Sequence, residues 1–115
     1  MLARQYRLRH ARDIARVYKT GAYGGVSGVL SVRAGRSGHS YPRAVVVVAK
    51  KVSKRAVIRN RIRRRVIGVL EQKFETLKGG YDIVITVHSD ISELPAAALT
   101  SHIHQTLARA GVLAS

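Results

Sequence analysis

No cysteine occurs in the sequence, which excludes disulfides and thiolate zinc sites and removes any need for an oxidising compartment. No apolar run approaches the roughly 20 residues that span a bilayer. The scattered arginines of the opening MLARQYRLRHARDIARVYK leave no uninterrupted signal-peptide core, so a soluble, uncleaved, cytoplasmic protein is expected. Repeats and linkers are missing too, and residues 1–115 are expected to form one domain. Acids are the scarcest charge: residues 1–70 hold eighteen Lys/Arg against Asp13 alone, while residues 71–115 hold three against Glu71, Glu75, Asp82, Asp90 and Glu93. The net charge of +15 therefore sits in the first two thirds of the chain. Self-repulsion on that scale destabilises a compact fold unless a polyanion relieves it, so nucleic acid is the favoured partner and an anionic membrane the lesser alternative.

The charge peaks in Lys50 to Arg65, KKVSKRAVIRNRIRRR, with nine Lys/Arg in sixteen residues and no acid. A disordered basic tail would need no Val57, Ile58, Ile62 or Val66, whereas a packed helix must bury one face. At 100° per residue Ile58, Ile62, Val66 and Val69 form one stripe, Asn60, Arg61, Arg63 and Arg64 take the opposite arc, and Arg59 and Arg65 flank the stripe. Ser53 is the expected N-cap of this helix, which should run to about Lys78 before Gly79-Gly80. Lys50, Lys51, Lys54 and Arg55 surround a helix start that ordinarily favours acids, and a bound phosphate would turn that cost into a benefit.

Around it, Ala11, Ile14, Ala15 and Tyr18 recur at helical spacing from about His10 to Lys19, and Gly21 ends that helix. Gly24 to Ala34 reads as a strand with a bulge near Gly28, and Gly35 to Pro42 as a loop. Ala44 to Ala49 is a β-branched run suited to a central strand covered on both faces, and Tyr81 to Val87 is a second buried strand. Ser92 is the expected cap of a last helix from about Glu93 to Ala110, with Leu99, Ile103 and Leu107 inside and Gly111 at C′. A strand, a helix and another buried strand suggest a βαβ unit, hence an α+β or α/β class with a small sheet covered by helices.

Guanidinium forks grip phosphates bidentately and stack on splayed bases, which favours RNA recognition. Asn60 is a mediocre helix former whose amide would serve to orient a neighbouring arginine or read a base edge. Tyr18 suits either base stacking or packing on the sheet, while Phe74 and Tyr81 are expected in the core. Protein-based catalysis finds little support: no carboxylate pair, no nucleophile elbow and no GxxxxGK[ST] loop is present. His102 and His104, two apart on a helix, diverge too far to chelate a metal.

The segment KKVSKRAVIRNRIRRR, with RNR at Arg59-Asn60-Arg61, resembles the signature of the bacterial ribonuclease P protein component. RLRHARDIARVYKTG looks like that family's first helix, SYPRAVVVVAKK like the strand entering the signature, and GGYDIVITV like the strand after it. The resemblance implies an α+β (α/β sandwich) fold of three helices and about four strands, similar to the second domain of ribosomal protein S5, with a left-handed βαβ crossover. It implies a subunit of an endoribonuclease holoenzyme in which a catalytic RNA, using magnesium held mainly by that RNA, removes the 5′ leader of precursor tRNA. DNA and membranes are not implied as partners. Matched to the family, Lys54, Arg55, Arg59, Asn60, Arg61, Arg63 and Arg64 would contact the catalytic RNA, and Arg12, Ile14, Tyr18, Ser31, Lys50 and Lys51 would line a cleft for the leader. Ile14 and Ser31 stand where many or some members carry aromatics, which implies weaker leader stacking, and His88 occupies a strand end often basic in the family. The alternative is a ribosomal or general RNA-chaperone protein sharing the fold.

Overall fold

The structure, a computed structural model, describes residues 2–26 and 29–114, and of 22–26 the backbone alone. A 3-10 turn, Arg4–Tyr6, leads into α1 (Ala11–Thr20), β1 (Ala22–Val26), β2 (Leu30–Arg36), β3 (Arg43–Val48), α2 (Ala56–Lys73), a second 3-10 turn (Phe74–Thr76), β4 (Tyr81–Val87) and α3 (Ala96–Ala110). The sheet order is β1-β2-β4-β3, with β4 antiparallel to β2 and parallel to β3. The three helices and four strands form the α+β sandwich that the resemblance implies.

Strand alternation sends two sets of side chains to opposite faces. Leu30, Val32, Ala34, Ala44, Val46, Val48, Ile83, Ile85 and Val87 meet α2 and α3 in the main core, with Ile62, Val66 and Leu70 from one helix and Leu99, Ile103 and Leu107 from the other. The other face carries a smaller core of Leu8, Val17 and Val84, with Ile14, Val45 and Val47 packed against it. Helix α1 lies there over β2 and β4, and its end approaches β2 closely: a Cβ on Gly21 would stand 2.8 Å from Ala34 O.

Several expected boundaries move. Gly24 to Ala34 is not one strand but the two arms β1 and β2, whose register slips between Tyr23 and Gly25; the bulge expected near Gly28 lies outside the described residues. The valine run is an edge strand, because β4 takes the inner position and pairs with both neighbours. Its burial alternates because α1 lies over β2 and β4 and leaves Val45 and Val47 on β3 half-buried. Ser53 does not cap α2: its Oγ accepts the Arg55 N–H at 3.2 Å, and the helix begins at Ala56 and ends at Lys73. Ser92 does not cap α3 either: its hydroxyl, like its N–H at 2.9 Å, bonds to the Asp90 carboxylate, and Pro95 holds the cap position. Pro95 disfavours helix at Leu94, delaying the start to Ala96. Gly111, at φ 75°, ends α3 as expected.

The stripes shift as well. On α1 the one fully buried residue is Val17, flanked by Ile14, while Ala11 and Ala15 are exposed. Val57, expected to help bury α2, is 61% exposed. Ile58, Val69, Phe74 and Tyr81 are half-buried against the main core.

Candidate nucleic-acid interface

Two surfaces meet along the β3 edge. The first is the outer face of α2, where Lys54, Arg55, Asn60, Arg61 and Arg64 are exposed. Asn60 Oδ1 accepts a hydrogen bond from Arg63 Nη1 at 2.6 Å, one of the two roles expected of that amide: it holds a neighbouring guanidinium one turn away. No side chain caps the first turn of α2 and no acid lies in it, so its free N–H groups and the cations around them favour an anion. The arginines are not all alike. Arg59 Nη1 donates to Ser53 O at 2.8 Å, tying down the loop before the helix. Arg65 reaches the other way and donates to Ile91 O and Leu94 O, fixing the β4–α3 loop. Arg61 faces Asp90 and Glu93 across an open hollow that Ile58, Ser92 and Leu94 also line. Hydrogen bonds from Ser92, side chain and backbone, hold the Asp90 carboxyl below its ordinary range, with help from Arg61.

The second surface lies beside α1, on the face of the sheet where the resemblance implies a leader cleft. Tyr18 is 42% exposed and its hydroxyl lies 3.2 Å from Thr86 Oγ1. Arg33 sits under the ring at 5.9 Å and donates from Nη1 to Tyr18 O at 2.8 Å. The ring is therefore positioned with one side open, and the choice between stacking and packing resolves into some of each. Ser31, opposite Thr86 in the β2–β4 register, is buried and pairs with His88 Nε2 at 2.8 Å. Val45 and Val47 complete the floor. Because Val48 is in register with Val87, the exposed Lys50 and Lys51 follow β3 at the end of the sheet where His88 follows β4. Ile14, Tyr18, Ser31, Lys50 and Lys51 thus border one region. Arg12 does not join them: it is exposed roughly 160° around α1 from Ile14.

Sequence reasoning missed the lock at the other end of this face. Asp82 is fully buried and accepts from Arg43 Nε and Nη2, both at 2.8 Å, and from Arg16 Nη2 at 2.5 Å, with Asp13 3.6 Å from Arg43. The Asp82 hydrogen bond raises the Arg43 pKa above its ordinary value despite partial burial. The signal was a lone acid inside the apolar run YDIVITV, an expensive placement unless paired. This lock and the Tyr18–Thr86 contact fix α1 to β4 at two points, four residues apart on the strand. Among the described residues, no group of three His, Asp or Glu side chains is placed to hold a metal ion, and no helix is long and apolar enough to cross a membrane.

A basic helix and a half-exposed tyrosine would serve several RNA-binding proteins, but a sequence model of the ribonuclease P family matches residues 2–111. The chain belongs to the ribonuclease P protein family. A ribonuclease P protein component of Pseudanabaena sp. (strain PCC 6903) is 40% identical over 114 residues, spanning 98% of this chain and 97% of the relative. That of Roseiflexus castenholzii is 32% identical over 113 residues, 97% and 91% of the two chains. In fold, the RNase P protein of Staphylococcus aureus superposes with a TM-score of 0.83 at 21% identity, over 94% of this chain and 97% of that one. The RNase P protein of Thermotoga maritima gives 0.79 at 24%, over 90% and 96%. Membership makes this chain the protein subunit of an endoribonuclease holoenzyme, ribonuclease P, whose other part is the RNase P RNA.

Proposed function

We propose that this ribonuclease P subunit uses its two surfaces for two RNAs: the α2 arc grips the catalytic RNA, and the α1 cleft holds the single-stranded 5′ leader of precursor tRNA. The observation that carries the reading is the separation of the surfaces. Arg61 and Arg64 stand on the outer side of α2, whereas Tyr18 and Thr86 lie on the opposite face of the sheet, with Lys50 and Lys51 in the turn that joins β3 to α2. In the catalytic-RNA group we place Lys54, Arg55, Asn60, Arg61, Arg63 and Arg64, with Arg59 contributing while it ties the loop at Ser53. In the leader group we place Ile14, Tyr18, Ser31, Lys50 and Lys51, with Arg12, on the outward side of α1, acting on the leader's phosphates only through its long-range field.

The RNA carries the chemistry. Magnesium is a hard ion that takes oxygen ligands, and the RNA's phosphates supply them. Held there, it would supply an activated water for phosphodiester hydrolysis, giving a 5′-phosphate on the tRNA and a 3′-hydroxyl on the leader. The protein's share is to neutralise phosphates near that site and to hold the leader in line, acting in the cytoplasm. The test is leader removal at limiting magnesium. The protein alone is expected to cleave nothing, and its addition to the cognate RNA should lower the magnesium needed; unchanged cleavage by the RNA with and without protein sinks the reading.

A further inference from the structure

Beside the basic arc of α2 the structure has an apolar hollow, which shares Arg63 with that arc. It opens at the β3 edge, between the N-terminal segment and α2, and its walls are Leu2, Leu8, Ala44, Val46, Ile67 and Leu70. Its volume is about 170 Å³. An apolar cavity of about 150 Å³ accepts a benzene ring, so this one admits a single flat ring and excludes a peptide helix or a stacked pair of bases. Val45 and three guanidinium-bearing residues, Arg7, Arg9 and Arg63, complete the lining, and no acid is among it. Each is placed differently. Arg63 is steadied by Asn60 and Arg7 by its Nε bond to Leu2 O at 2.8 Å, while Arg9 is exposed and has no hydrogen-bond or ion-pair partner among the described residues.

The strand edge adds hydrogen-bonding groups. Ala44 O accepts the Leu8 N–H at 3.0 Å, which shows that this residue directs its backbone outward. By strand alternation Val46, two residues on, directs its N–H and C=O to the same edge, and it bonds there to no other backbone among the described residues. An apolar slot one ring wide, an N–H beside a C=O, and cations at the mouth match the three parts of a nucleotide: base face, base edge and phosphate.

We propose that this hollow receives one unstacked base of the catalytic RNA, with Arg9 and Arg63 on the flanking phosphates and the Val46 backbone on the base edge. The proposal rests on the reading of α2 as the catalytic-RNA surface, because Arg63 belongs to both. An acidic protein segment would satisfy the arginines but offers no flat ring for the slot.

The experiment fills the slot without changing charge. Ala44→Leu is expected to weaken binding of the catalytic RNA about ten-fold, the scale of one stacked base, while the slope of log affinity against log salt stays that of the unaltered protein. Arg64→Ala should instead flatten the slope. Methyl NMR of the unaltered protein gives a second readout that needs no variant. On binding the catalytic RNA, the Leu8, Val46 and Ile67 methyls should move upfield under the ring of an inserted base, whereas a blunt RNA duplex, which offers phosphates without an unstacked base, should leave them in place. Methyls unmoved by the catalytic RNA, moved equally by the duplex, or moved with protein concentration alone would overturn the proposal, as would full affinity in a folded Ala44→Leu protein. Should the unaltered protein not bind the catalytic RNA at all, the function proposed above fails with it, an outcome distinct from normal binding with an empty slot.

Discussion

At the residue scale, similar side chains do different work according to their partners. Tyr18 and Arg64 are both exposed, yet one stands over the cleft and the other on the outer arc of α2. Tyr18→Ala should weaken precursor tRNA binding by about 10-fold, the equivalent of one lost stacking contact, and leave mature tRNA affinity unchanged. Arg64→Ala should mainly weaken assembly with the catalytic RNA, and titrations with each RNA separate the two. Asp82 makes a contrasting case, because it touches no solvent and serves only other side chains. Asp82→Ala leaves the half-buried Arg43 with Asp13 as its remaining acid and should cost about 1.5–3 kcal/mol, the scale of lost hydrogen bonds to a charged group, against less than about 1 kcal/mol for the more distant Asp13→Ala. Urea unfolding of the two variants checks the difference.

At the scale of elements, α2 spends part of its charge on holding the fold. Arg65 bonds two carbonyls of the β4–α3 loop, so Arg65→Ala should cost about 1.5–3 kcal/mol of stability, free the amides of residues 91–94 to exchange, and change RNA affinity far less than Arg64→Ala. Composition alone does not separate these two neighbours; the direction each leaves the helix does. The helix itself was legible, because Ile62 and Val66 repeat at its period and both are fully buried. The ends were not. Ser53 and Ser92 are good cap residues locally, but the loops around them spend those groups on Arg55 and Asp90. Nor did the valine run reveal its place, since a strand beside another and beneath a helix is rich in β-branched residues whether or not its outer edge is paired. The α2 arc could be read from sequence because it is contiguous; the cleft joins Tyr18, Ser31, Thr86 and Lys50 from four parts of the chain, and without the family resemblance no local pattern links them.

For the whole molecule, the charge asymmetry sets how binding responds to its surroundings. If the interface neutralises ~6 to 10 phosphates, affinity for the catalytic RNA should fall by about 10³ to 10⁵ between 50 and 200 mM salt, as filter binding across that range would measure. A flat response would mean that the arginine arc does not carry the contact.

The position of β4 has a further consequence for how the molecule comes into being. Among the described strands it comes after the other three in the chain and is the one that pairs with both β2 and β3, so the β1–β2 hairpin and the strand leading into the basic helix are not joined through it until Tyr81–Val87 leaves the ribosome. The same strand brings Asp82, the carboxylate that Arg16 and Arg43 await. A nascent chain carrying almost all of its positive charge therefore stays open, and exposed to whatever RNA is near, until its short acidic third arrives to close it.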